Sequence, residues 1–290
     1  MTITKWKWVT IAMMAGAILV GCGEVEHYGE KAKQAISGVG EGVSESMHAQ
    51  TLGEKDEPAF GRALAISITN QYAPSDDKAL LAYVNYIGYT LVSVSTKPDR
   101  HYLFGVLDSD SVGAFSGPDG YIFVTRGAIL FARDEAEIAG ILGHEMTHVL
   151  NQDGLDAAKG AMTQAGITKA TVSLAGVDQA SPVVDKMSQA VLSTGFDKPE
   201  EYAADKGSMD LMIAAGYDPV SFLHFLKRLE VAQQENSGGG FMSTHPGVHD
   251  RIARLAENIG LAGIPGGATM RDRFVATVHS VAPATTTAVQ

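Results

Sequence analysis

Residues 134–151 read DEAEIAGILGHEMTHVLN, and this stretch decides the fold. Acidic residues in its first turn complement the dipole of a helix. Apolar side chains cover most of the surface that such a helix would present, which predicts that the helix is buried. They are Ile138, Ile141, Leu142, Val149 and Leu150. Polar groups inside a buried helix need partners, so the histidines and the glutamate of this stretch require a role.

His144, Glu145 and His148 form an H-E-x-x-H pattern inside this helix. Residues four apart lie on one helical face, so both imidazoles can reach one ion. Neutral imidazole suits zinc, and Glu145 can take a proton from a metal-bound water. The alternative is a surface helix with two solvated histidines, which the apolar neighbours disfavour. The pattern therefore predicts one zinc ion per chain.

A catalytic zinc site needs a third protein ligand and an open position. Residues 200–205 read EEYAAD, in a second predicted helix. Glu201 and Asp205 are four apart and share a face. We predict that Glu201 ligates the metal while Asp205 accepts the other ring N–H of a ligating histidine. This spacing alone is common on solvated helices, so the prediction depends on the H-E-x-x-H pattern upstream.

Four segments together resemble the gluzincin peptidases that include the heat-shock protease HtpX and the CAAX prenyl proteases. They are residues 113–127 (GAFSGPDGYIFVTRG), HEMTH at 144–148, EYAAD at 201–205, and THP at 244–246 with Arg251-Ile252. The resemblance implies a mostly helical α+β zincin-type fold, with a small sheet at the edge of the active-site cleft. It also implies zinc-dependent endopeptidase activity. Several soluble bacterial members of this family are periplasmic lipoproteins.

Three segments depart from the family pattern. One is Asp197-Lys198, where a Ser-Arg usually precedes the third-ligand motif. By the resemblance, Gly113, Ala114 and Phe115 belong to an active-site edge strand that holds an extended peptide by strand addition. The family has Asn where this chain has Gly113, and P-G-G where residues 118–120 read PDG. The basic pair that often follows the second histidine is replaced by NQD at 151–153. The changes in the edge strand affect substrate preference rather than zinc chemistry.

His245 has two interpretations. It is a loop histidine before a helix, or, by the resemblance, it folds over the zinc. There it would stabilise the oxyanion as a catalytic residue, or occupy the open zinc position and make the enzyme latent. The glycines at 238–240 would supply the mobility. The remaining histidines have no partner at a ligand spacing; they are His27, His48, His101, His224, His249 and His279.

The amino terminus has the pattern of a bacterial lipoprotein signal. Lys5 and Lys7 precede an apolar run from Val9 to Val20, which is too short to span a bilayer. The run ends in LVGC, which resembles a lipobox with Cys22 as the lipidated residue. Because Gly23 is not the Asp typical of inner-membrane retention, we expect an outer-membrane anchor facing the periplasm. The alternatives are an ordinary secretory signal with an incidental cysteine, or a buried free cysteine.

Composition limits the classes of function. The 290 residues include 22 Lys and Arg against 33 Asp and Glu, a formal charge of −11, and one cysteine. This balance argues against a nucleic-acid binder, because phosphate contacts need cations. A single cysteine excludes an intrachain disulfide and a zinc site built from several thiolates.

Composition and pattern also divide the chain. We expect a signal peptide at 1–21, a lipidated terminus and tether at 22–58, one metallopeptidase domain at 59–281 and a disordered tail at 282–290. Helical patterns run from Ala59 to about Ser95, with a cap at Ser75–Asp77. Further helices begin at Pro199, at Asp218-Pro219 and, as the last clear one, near Pro246. The two predicted strands are Tyr102–Leu107 and Tyr121–Thr125, with loop residues between them.

The predicted function is hydrolysis of peptide bonds in misfolded or misassembled cell-envelope proteins, with partners in envelope assembly. The alternative is a binding module, chaperone-like or assembly-supporting, with a latent or weak zinc site. The segment at 154–194, rich in small residues, could cover the cleft in either case. A purely structural lipoprotein would leave the zinc-ligand pattern unexplained.

Overall fold

The structure, a computed structural model, describes residues 52–165, 195–235, 245–263 and 266–278, together with 185, 188, 189, 191 and 192. The predicted signal peptide, Cys22, the glycines at 238–240, Thr244 and the tail lie outside the described residues. So does most of the segment from 166 to 194. Within the described ranges, no helix has both the length and the apolar character needed to cross a membrane.

Helices dominate the described chain, and three short strands form one sheet. The helices are α1 (Glu57–Gln71), α2 (Lys78–Ser93), α3 (Arg126–Phe131), α4 (Glu135–Asn151), α5 (Asp153–Ala165), α6 (Lys198–Ala214), α7 (Pro219–Glu235), α8 (Val248–Ala262) and α9 (Arg271–Val278). The strands are β1 (Leu103–Leu107), β2 (Ala114–Gly117) and β3 (Tyr121–Thr125). The predicted α+β class with a small sheet is therefore confirmed.

The sheet has the order β1-β3-β2. Strand β3 pairs parallel with β1 and antiparallel with β2, where Phe115 lies opposite Phe123. A tight turn at 118–120 joins β2 to β3, and Gly120 there has φ 78°. A β-carbon at Gly120 would lie 2.0 Å from the carbonyl oxygen of His101, so this turn requires glycine. Strand β2 is an edge strand of the sheet and contacts α4.

The helix starts follow from capping residues in the sequence. Asp77 accepts a hydrogen bond from the Leu80 N–H at 2.9 Å, which confirms the predicted cap before α2. Asp134 caps α4 in the same way, through the Glu137 N–H at 3.0 Å. Several elements differ from the expectation. Strand β2 forms at Ala114–Gly117, where the residue pattern predicted a loop, although the resemblance implied an edge strand there. Helix α1 begins two residues before Ala59, and α9 follows the helix that was predicted to be the last clear one.

Glycines bring α4 and α6 close together. A β-carbon at Gly207 on α6 would lie 2.4 Å from the Thr147 side chain on α4. Across the same interface, the Ser208 hydroxyl donates a 2.6 Å hydrogen bond to the Gly140 carbonyl. Every residue of α4 from Glu135 to Val149 is buried, as its apolar pattern predicts. This packing places the histidine face of α4 against the carboxylates of α6.

Candidate metal centre

The two histidines of α4 point their Nε2 atoms at one place. His144 and His148 are 0% and 1% exposed, and their Nε2 atoms lie 3.1 Å apart. Each Nδ1 atom faces a carboxylate: Asp205 lies 3.0 Å from His144, and Asp153 lies 2.6 Å from His148. A carboxylate beside Nδ1 favours the tautomer with its proton there, which leaves a lone pair on Nε2. Two lone pairs facing each other at this distance favour a cation between them.

Glu201 on α6 completes a three-ligand set. Its two carboxylate oxygens lie 3.5 Å from His144 Nε2 and 3.6 Å from His148 Nε2. A tetrahedral zinc ion with ligands about 2.0–2.1 Å away spaces its donors roughly 3.3 Å apart. The observed separations bracket that value, and two imidazoles with one carboxylate are a typical donor set for catalytic zinc. These residues therefore fit a zinc ion.

His245 lies against this set from the start of the segment before α8. Its Nδ1 is 3.2 Å from His144 Nε2 and 3.0 Å from a Glu201 oxygen. The side chain is 2% exposed. One donor atom from each of His144, His148, Glu201 and His245 lies within 4.8 Å of the others. His245 Nδ1 thus lies close enough to the other three donor atoms to bind the same ion.

Glu145 is fully buried beside the same set. Its Oε1 is 3.2 Å from His245 Nε2, yet within the described ranges neither oxygen makes a hydrogen bond of good geometry. Burial raises the pKa of Glu145, but the neighbouring His245, and after it His144, lower it to about 2. The carboxylate is therefore ionised at neutral pH, as a proton acceptor must be.

Arg251 on α8 ties the carboxylates of α6 together. Its guanidinium is 0% exposed and contacts Asp205 through Nε at 2.8 Å and Nη2 at 2.6 Å. Nη1 lies 2.7 Å from Glu201 Oε2 and donates to the His245 carbonyl at 3.3 Å. Burial raises the pKa of Asp205, but the Arg251 charge lowers it to about 2. This ion pair keeps Asp205 ionised as the acceptor for His144.

The structure places the residues predicted from spacing in one cluster: His144, Glu145, His148, Glu201 and Asp205. His245, which the resemblance indicated, joins them. Ala114 and Phe115 lie buried in β2, the strand that contacts α4, and Gly113 directly precedes it.

Sequence reasoning assigned no role to Asp153 or Arg251. Asp153 follows the end of α4, so the helical periodicity that pairs His144 with His148 does not extend to it. Arg251 is part of the R-I pair of the resemblance, which was a signal for a role at the site. Its contact with Asp205 depends on how α8 packs against α6.

Comparisons with known proteins agree with this geometry. A family model described as peptidase family M48 matches residues 80–259, which include all the residues of the centre. The chain is similar to a putative beta-barrel assembly-enhancing protease of Vibrio cholerae, with 24% identity over 219 residues, 71% of this chain and 45% of that protein. It is also similar to mitochondrial metalloendopeptidase OMA1 of Schizosaccharomyces pombe, with 27% identity over 176 residues, 60% of this chain and 52% of that protein.

A protease HtpX homolog of Salinibacter ruber is 24% identical over 191 residues, 54% of this chain and 68% of that protein. The chain spans about half the length of the first two of these curated relatives. The centre and the family match together are those of a zinc metallopeptidase.

Proposed function

Since the chain belongs to peptidase family M48, we propose that it hydrolyses internal peptide bonds of cell-envelope proteins while a lipidated Cys22 holds it to a membrane. The observation that carries the hydrolytic part is the convergence of His144, His148 and Glu201 beside the ionised carboxylate of Glu145. Catalysis by a zinc peptidase needs this combination of ligands and base.

The mechanism assigns each side chain a task. When bound, zinc supplies a Lewis acid that polarises the substrate carbonyl and makes a bound water more acidic. Glu145 takes the proton of the attacking water on a carboxylate oxygen and then passes it to the leaving amine nitrogen. Asp205 holds the proton on Nδ1 of His144, which keeps that ring oriented with Nε2 toward the ligand cluster.

The direct test compares Glu145→Gln with the wild type on a generic unfolded protein, with and without a chelator. We expect the variant to keep stoichiometric zinc and to lose roughly 10²–10⁴-fold in cleavage rate, because the base is gone. Glu257→Gln changes an exposed glutamate of α8 and serves as the control. Cleavage by Glu145→Gln at the wild-type rate would show that the mechanism is wrong.

His245 is proposed to hold the fourth position of the metal in the resting protein. Its Nδ1 lies among the ligand atoms, and its Nε2 faces Glu145, so the ring lies between the ligand set and the proposed base. Higher peptidase activity of His245→Ala would support this latent state. Loss of activity would favour the oxyanion role instead, and activity equal to that of the wild type would exclude both roles.

The cell-envelope location rests on the lipobox-like LVGC and on relatives named for beta-barrel assembly. We expect metabolic labelling with a fatty acid to mark the wild type and not Cys22→Ser. Fractionation should place the labelled protein in the outer membrane. Labelling of Cys22→Ser equal to that of the wild type would contradict the anchor.

The binding module is the second candidate, because the His245 contacts describe a closed centre. It predicts that the wild type binds unfolded envelope proteins but does not cleave them. Cleavage by the wild type or by His245→Ala would exclude the binding module. Binding of an unfolded protein with cleavage by neither of the two would favour it.

A further inference from the structure

Asp153 makes a shorter contact with His148 than Asp205 makes with His144. Its Oδ2 lies 2.6 Å from Nδ1 of His148, and the aspartate is 6% exposed. Burying a carboxylate costs free energy unless a partner compensates, and His148 Nδ1–H is a donor in reach. One face of the imidazole stacks on Phe196, with ring centroids 4.2 Å apart. The ring is therefore fixed both by the hydrogen bond and by the stacking.

The chain reaches this position through one unusual backbone conformation. Helix α4 ends at Asn151, and Gln152 adopts φ 66°, in the left-handed region that favours glycine. The Gln152 side-chain amide donates a 2.9 Å hydrogen bond to Glu57, a buried residue of α1. Glu57 also accepts from the Asp119 N–H at 3.1 Å and pairs with Arg100. These contacts compensate the strain at Gln152 and return Asp153 toward His148.

We propose that Asp153 is a positioning residue for the metal. It holds the proton on Nδ1 of His148 and directs Nε2 toward the ion, as Asp205 does for His144. Each histidine ligand then has its own carboxylate. The contact comes from the NQD sequence at 151–153, where the family often has a basic pair. The inference depends on the proposed function only for the identity of the metal as zinc.

The competing explanation is that Asp153 only stabilises α5, because an acid at a helix N-terminus interacts favourably with the dipole. Asp156 offers a matched control for that explanation. It lies in the same first turn of α5, is exposed and pairs with Lys159 at 2.7 Å. A dipole effect should act on both aspartates, whereas metal positioning should act only on Asp153.

The experiment measures the zinc Kd of the full chain by competition with a chelator, together with the unfolding temperature of the metal-free protein. Asp153→Asn is isosteric and keeps an acceptor oxygen but loses the charge. We expect its zinc Kd to rise about 10–100-fold, with Asp156→Asn within about twofold of the wild type. Asp153→Glu restores the charge and should recover part of the affinity.

A zinc Kd for Asp153→Asn within twofold of the wild type would overturn the inference. Equal losses of zinc affinity in Asp153→Asn and Asp156→Asn would overturn it as well, and would favour an interaction of both acids with the dipole of α5. A wild type that binds no zinc would instead refute the proposed function, so the two failures are distinguishable. If Asp153→Asn unfolds early, the visible spectrum of the Co²⁺-substituted protein provides the second measurement. Bands identical to those of the wild type would count against the inference.

Discussion

Arg251→Met should be one of the most damaging single substitutions in this protein. The guanidinium is 0% exposed and contacts Asp205 and Glu201 within 2.6–2.8 Å. Met has a similar length and no charge, so it fills the space while it removes the cation. Two buried carboxylates then lose their cationic partner. Breaking a buried ion pair in this way is strongly destabilising, even where the intact pair contributes little.

The magnitude follows from the pKa of Asp205, which lies at about 2 instead of 3.8. That difference corresponds to roughly 2 kcal/mol of net stabilisation of the ionised form, and burial opposes it, so the contribution of Arg251 is larger. The contact with Glu201 adds to it. We therefore expect a loss of about 3–5 kcal/mol in the free energy of unfolding, or roughly 6–20 °C in Tm.

The assay is urea unfolding of wild type, Arg251→Met, Asp205→Asn and the double variant. Because the two residues contact each other, the double variant should lose less than the sum of the single losses. The pKa of Asp205 is lower in the folded protein, so the stabilisation is complete above about pH 4 and disappears as the pH falls toward 2. The effect of Arg251→Met should shrink over that range. A loss below about 1 kcal/mol at neutral pH, or strict additivity, would refute the reasoning.

Three further outcomes follow from the structure. Gly207→Ala should lower the free energy of unfolding by about 1–3 kcal/mol, because its β-carbon meets Thr147; an unchanged urea midpoint would count against this packing. Zinc affinity should fall as the pH decreases through neutrality. Burial lowers the pKa of His148, but the hydrogen bond to Asp153 raises it above 6.5, so protons compete with the metal for this ring. A zinc Kd, measured by competition with a chelator, that does not change between pH 6 and 8 would contradict this. Removal of zinc should lower Tm, because a free zinc concentration 1,000-fold above the Kd adds about 4 kcal/mol to the free energy of unfolding. Equal Tm values with and without a chelator would exclude a stabilising zinc site.

The parts of the centre that the sequence predicted depend on local geometry. His144 and His148 share a face because a helix repeats every 3.6 residues, and the same rule joins Glu201 to Asp205. The start of α2 was predictable for the same reason, because Asp77 caps a helix within its own first turn. Such features need no knowledge of which elements pack together.

The features that the residue pattern missed depend on contacts between distant segments. Strand β2 has only four residues and is formed by pairing with β3. Helix α9 has eight residues, and its Arg273 pairs with the buried Glu135 at the start of α4. Tyr217 donates to the same carboxylate at 2.7 Å. Short elements have weak intrinsic preferences, so their partners determine whether they form.

Of the charged residues at the centre, Glu145 is the one to which metal binding alone gives no role. Four carboxylates are buried there, on Glu145, Asp153, Glu201 and Asp205, with one buried guanidinium on Arg251. Their formal charges sum to −3 before any charge on a histidine is counted, and a zinc ion would offset two of these negative charges. Zinc would therefore stabilise the fold even in a protein that only binds. Glu145 does not belong to the ligand set, and its buried, ionised oxygens lack well-formed hydrogen bonds within the described ranges. Burying an ionised carboxylate costs stability, and the proposed proton transfer to and from the attacking water accounts for the position of Glu145 beside the metal ligands.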